Sequence, residues 1–185
     1  MALPTNTSGG LGGGGSFFKA VKGNNKILIL DEAIEAYSYW TTEMKPVMSR
    51  TKFEEPLPED AQQREKRDKE GNVVNGADGK PEMAPAKQAY MWIVPIWNFD
   101  NQAIEIFQIT QKGIRDELVA IQSSEDWGSP VGTYSISLNK TGEGLQTRYK
   151  VTPNPITDKN KQEIADIVKA YKADPMDVEA IVFKD

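Results

Sequence analysis

β-branched and aromatic residues dominate the stretch Ala89 to Thr110, AYMWIVPIWNFDNQAIEIFQIT. The pattern predicts two β-strands joined by a tight turn at Asn98, Phe99, Asp100 and Asn101. In the first strand Tyr90, Trp92, Val94 and Ile96 point one way, and Met91, Ile93, Pro95 and Trp97 the other. Both faces are apolar. One is therefore expected to be core, and the other to be covered by another element or used as a binding platform. In the second strand Ile104, Ile106 and Gln108 alternate with Glu105, Phe107 and Ile109. This hairpin is expected to be the centre of a small closed sheet.

Upstream, Lys26 to Leu30 reads as a short apolar strand, and Asp31 to Thr42 continues with alternation. Ile34, Ala36, Ser38 and Trp40 share one side of it; Glu35, Tyr37, Tyr39 and Thr41 share the other. Lys45 to Phe53 is a third strand candidate. Downstream, Ile114, Leu118 and Ile121 recur at helical spacing within Gln111 to Ser123, with Thr110 as a possible cap. Thr133 to Asn139 alternates with Tyr134, Ile136 and Leu138 inward and Ser135 and Ser137 outward. After a glycine loop, Gln146 to Thr152 returns with Thr147, Tyr149 and Val151 on one face and Gln146, Arg148 and Lys150 on the other. Thr157 or Asp158 then caps a helix with Ile164, Ile167, Val168 and Tyr171 as its buried stripe.

Residues 1–16 are Gly-rich and expected to form a flexible arm, with order starting at Phe17 and Phe18. Residues 54–88 hold four prolines, a dense mixed-charge run and repeated turn signals, and are expected to be a long mobile insertion. The core domain is then 17–171, followed by an acidic tail at 172–185. About six strands and two modest helices in this order suit a mainly β, OB-fold-like small barrel with a helix inserted between two strands. A sandwich is the alternative.

Composition narrows the chemistry. The 185 residues include no Cys and no His, which excludes disulfides, zinc-thiolate sites and Ser-His-Asp or Cys-His catalysis. No signal peptide and no membrane-length apolar run is evident, so a soluble intracellular protein without membrane contact is expected. Net charge is −5. However, residues 17–53 carry six Lys/Arg against four Asp/Glu, and 131–157 carry three against one. Positive balance thus falls on strand-like segments, a weak sign of a local basic groove.

The chain also carries a recognisable order of blocks. A Gly-rich arm leads into GNNKILILDEAIEAYSYWTTEMKPVMSR. WIVPIWNFDNQAIEIFQITQKGIRDEL, EDWGSP and TGEGLQTRYKVTPNP follow. From about residue 17 to 157 this order resembles the single-stranded DNA-binding proteins of bacteriophages, most specifically in WNFDNQAIEIFQITQ and GEGLQTRYKVTPNP. The resemblance implies an OB-fold, sequence-tolerant binding of single-stranded DNA in phage replication and recombination inside the host-cell cytoplasm, and an acidic tail that contacts other replication proteins. Family members with a zinc site differ from this chain, which has neither Cys nor His; no metal or other cofactor is expected.

A protein that binds single strands without reading sequence needs cations along a groove and flat rings on which bases stack. The candidate rings are Tyr37, Tyr39, Trp40, Trp92, Trp97 and Phe99; the candidate cations are Lys45, Arg50, Lys52, Arg148 and Lys150, with Lys19 and Lys22 in the approach. For many of these rings a place in the core is the competing expectation. The tail has two readings. Val178, Ile181 and Val182 fall at helical spacing and could dock on the body; alternatively Asp174, Asp177, Glu179 and Phe183 form an acidic peptide with an apolar end for a partner protein. Two other function classes compete with DNA binding. One is an OB-type protein-interaction or structural module. The other is a Mg-dependent nuclease using Asp116, Glu117, Glu125 and Asp126, which no pattern fixes near one point; a non-enzymatic role is the expectation.

Overall fold

A computed structural model describes residues 16–183. All of the glycine-rich arm except Ser16, and the tail's Lys184 and Asp185, lie outside the described residues. In chain order the strands are β1 (Gly23–Ile29), β2 (Ile34–Trp40), β3 (Pro46–Ser49), β4 (Gln63–Glu65), β5 (Met83–Pro85), β6 (Ala89–Asn98), β7 (Ala103–Ile109), β8 (Ile136–Thr141) and β9 (Arg148–Pro153). The helices are α1 (Lys112–Gln122), α2 (Asp158–Ala173) and α3 (Val178–Val182). The protein is mainly β, its strands pair antiparallel, and it has three α-helices among the described residues. Two compact units divide it: 16–34 with 92–183, and 35–91.

In the first unit β6 pairs with β7 and with β1, β1 pairs with β8, and β8 with β9. The β6–β7 turn occupies 99–102, with Gln102 in left-handed backbone at φ 50°. Asn98 Oδ1 accepts from the Asp100 N–H at 3.0 Å, and the buried Glu105 carboxylate accepts from Asn98 Nδ2 at 3.0 Å and Asn101 Nδ2 at 2.6 Å. From Ile27 to Leu30, and at Ile96 and Trp97 of β6, both faces are apolar because each has its own helix. Ile27, Ile29, Val94, Ile96, Phe107 and Ile136 pack under Ile114 and Leu118 of α1. Leu28 and Leu30, with Trp97, Phe99 and Ile104, pack under Ile164, Ile167 and Tyr171 of α2. Phe18 joins the α1 side, its ring edge-on to Phe107 at 4.9 Å, and its N–H donates to Ile106 O at 2.8 Å.

The expected closed barrel does not form among the described residues. Within the first unit β7 and β9 end the run of paired strands, and α1 packs against both. From α1 the Glu117 carboxylate accepts the Val151 N–H of β9, which occupies a donor that a closing strand would need. Other expectations shift as well. Gln111, not Thr110, stands at the α1 N-cap, with no side-chain cap. Ser135 is buried, not outward, and its hydroxyl accepts from Asn154 Nδ2 at 3.2 Å. A third helix follows the expected two: the Asp177 carboxylate accepts the Ala180 N–H at 2.9 Å and starts α3, whose Val178 is buried. Thr157 caps α2, its N–H donating to Asn160 Oδ1 at 2.7 Å.

The second unit pairs β2 with β3 and β4 with β5. Its small core joins Tyr39, Leu57 and Ala61 with Val47 and Phe53. The insertion is a ladder of short pairs and turns. In one turn the Asp68 carboxylate accepts the Glu70 and Asn72 N–H groups, both at 2.9 Å, and Asn72 Nδ2 at 3.1 Å. The Asn72 bonds chiefly hold the Asp68 carboxyl below its usual titration range.

Candidate nucleic-acid interface

α2 covers only part of its face of the first unit's sheet. Beyond the helix the same face carries Asn24 opposite Asn139 and Asn139 opposite Lys150, then Lys26 opposite Ser137 and Ser137 opposite Thr152, and finally Thr141 opposite Arg148. These rows hold amides, hydroxyls and three cations, with no acid among them. Asn24, Asn139, Arg148, Lys150 and Thr152 are exposed, and Lys26 and Ser137 half-buried. The Arg148 guanidinium folds back to donate to Thr147 O at 3.0 Å and Leu145 O at 3.4 Å, which fixes its position at the start of β9. Phe99 borders the open half, where its N–H donates to Lys26 O at 3.1 Å. Lys26 Nζ lies 4.2 Å from the centroid of the Phe99 ring.

Phe99, Arg148 and Lys150 are the sequence candidates that this half-face brings together. Lys26 was not among them. It begins an apolar strand, but the alternation Asn24, Lys26, Leu28, Leu30 shows the face turning from polar to apolar and was the available signal. Trp97 is half-buried against the cluster under α2, and Trp92 half-buried against the cluster under α1. Each therefore spends much of its ring on packing. Of the tail candidates, Asp174, Asp177 and Glu179 are exposed and Phe183 is half-buried.

The remaining candidates lie in the second unit. Tyr39 is 7% exposed, its ring edge-on to Phe53 at 4.9 Å, and burial pushes its phenol pKa up. A ring so sealed offers no face to a base. Tyr37 is half-buried with its ring 5.3 Å from that of Tyr90. Trp40 is 47% exposed at the end of β2. Lys45 pairs with Glu43 at 2.7 Å and Lys52 with Glu55 at 3.8 Å, so acids offset both charges; Arg50 is exposed.

The carboxylates considered for metal chemistry are dispersed. Asp116 pairs with Lys112 at 2.6 Å, Glu117 holds β9, and Glu125 and Asp126 are exposed in a loop. Among the described residues no three acidic side chains are grouped to hold a metal ion. No helix among them is long and apolar enough to cross a membrane. No family model, curated protein or solved structure matches the chain.

Proposed function

We propose that the chain binds single-stranded DNA without reading its sequence, on the open half-face of β1, β8 and β9. The observation that carries this reading is the acid-free set of rows with Lys26, Arg148 and Lys150, bordered by the Phe99 ring, on a protein whose net charge is −5. Cations at strand spacing meet phosphates, and the Asn, Ser and Thr side chains between them tolerate any base. The order of sequence blocks resembling phage single-stranded DNA-binding proteins supports the same reading, and with it a non-enzymatic role in phage replication and recombination in the host cytoplasm. The fold is proposed as an opened OB-type arrangement, with α1 standing where β7 and β9 would otherwise close. The exposed Asp174, Asp177 and Glu179 are proposed to meet a partner replication protein.

Fluorescence anisotropy of a labelled dT oligomer at low salt tests the reading. Binding is expected, with log affinity falling against log salt by about 0.7 per phosphate neutralised. No binding at low salt would leave an OB-type interaction module as the better description. Neutralising Asp174, Asp177 and Glu179 to amides is expected to leave dT affinity unchanged, since they lie outside the open rows.

A further inference from the structure

On the opposite side of the same sheet, two adjoining hollows of about 480 and 290 Å³ share Gln111, Ile114 and Tyr149. They form one groove between residues 18–20, the start of α1, and β9. We propose that this groove binds a nucleoside carrying a phosphate monoester, with the base against Tyr149 and the phosphate among Lys19, Lys140 and Arg148. Tyr149 and Lys140 lie directly opposite one another on the α1 side of the β8–β9 ladder, away from Lys26 and Lys150; Arg148, at the start of β9, borders both the groove and the open half-face.

Three observations converge on that ligand. The larger hollow alone, at about 480 Å³, falls in the range of small-molecule sites, roughly 300–1,000 Å³. The lining includes three cations and no carboxylate. The nearby acids are engaged elsewhere: Glu143 with Lys22 at 3.4 Å, Asp116 with Lys112 at 2.6 Å, and Glu117 with the Val151 N–H. Lys140 donates to Ala20 O at 3.2 Å, which anchors an ammonium that has three donors. Three cations match a dianionic monoester better than the single charge of a diester. For the base, Tyr149 is half-buried on the core and lines the groove, Ile114 gives an apolar floor, and the Gln108 and Gln111 amides supply donors and acceptors for a base edge. A bare anion would use the cations and leave the ring and amides idle.

Titration of the full chain with dTMP, followed by backbone amide shifts, is the test. Saturable shifts are expected at Lys19, Gln111 and Tyr149, with thymidine at least about tenfold weaker, since charge-assisted hydrogen bonds to phosphate carry much of the affinity. Lys19→Glu with Lys140→Gln is expected to weaken dTMP by at least about tenfold. Lys26→Glu with Lys150→Glu, which weakens open-face binding, leaves dTMP affinity unchanged. dT pentamers with a 5′ phosphate or a 5′ hydroxyl identify the source. Displacement of dTMP by the phosphorylated pentamer alone marks a strand end, and displacement by neither marks a free nucleotide. Equal displacement by both overturns a monoester site. So do shifts confined to Lys26 and Lys150, or inorganic phosphate binding as tightly as dTMP.

Discussion

Lys26 and Leu28 share one face of β1, two residues apart, yet Lys26 retains contact with solvent while Leu28 is fully sealed. The difference is the helix. Where α2 lies, the face presents Leu28, Leu30, Trp97 and Ile104; where α2 ends, it presents Asn24, Asn139, Ser137, Lys150 and Thr152. The side chains change character in step with the cover. An apolar half without a helix would be an exposed patch, and a basic half under one would strand desolvated charges. The open half is therefore built to stay wet.

The largest test of that contrast attacks the covered half. Ile167→Ala removes a buried side chain of α2 packed with Leu28 and Tyr171. It is expected to cost about 2–5 kcal/mol, read as a clear fall in Tm by thermal unfolding. The fraction that remains folded should bind dT as before. Equal loss of stability from a substitution in the open half would show that the two halves are not different in kind.

Charge reversal in the open half is the converse. Lys26→Glu with Lys150→Glu is expected to leave Tm almost unchanged and to lower the slope of log affinity against log salt by about 1.4, two cations at about 0.7 each. Anisotropy with labelled dT over a salt series measures it. An unaltered slope would move the DNA off this face.

Much of this contrast was legible in the sequence. The period-two alternation in 89–110 fixed the two faces of β6, and the stripes Ile114, Leu118 and Ile164, Ile167, Tyr171 identified both long helices. A stripe states that a helix is covered and leaves open what it covers. Hence the position of α1 against both β7 and β9, and with it the unclosed barrel, had no local signature. Tyr37 and Tyr39 looked equivalent, two residues apart on a strand. Only Tyr39 joins the small core with Phe53, Leu57 and Ala61, and the last two come from a segment whose composition read as loop. The open rows were half visible: Arg148 and Lys150 stood out on a polar strand, whereas Lys26 was masked by the apolar run that follows it.

Alkaline titration probes the covered half more gently. Burial, followed by the neighbouring Asp31, pushes the Tyr171 phenol from its ordinary 10.0 up to about 12. The fold holds the neutral phenol, so its contribution is complete below the unfolded value. It is lost as pH rises from about 10 through about 12. Tm measured across that window is expected to fall. Tyr171→Phe should fall less steeply over the same window, though not flatly, because burial also raises Tyr39 and Tyr134. Identical pH profiles for the two proteins would mean that the phenol is not shielded as its packing implies.

Phe99 stands on the border between the halves and gives the smallest effect. Its ring packs with the cluster under α2, and the Lys26 ammonium sits over it. A DNA base that stacked there would have to displace that ammonium. The net gain is then the difference between a stacking contact and a cation–π contact of about 0.5–1 kcal/mol. Phe99→Leu retains an apolar side chain for the α2 cluster, so Tm should change little. The dT affinity is expected to fall by about two- to fivefold, equivalent to about 0.5–1 kcal/mol. A loss well beyond that would mean that Lys26 yields the ring to the base and that Phe99 belongs functionally to the open half. No loss at all would assign the ring wholly to the covered half, leaving phosphate contacts from Lys26, Arg148 and Lys150 to carry the strand.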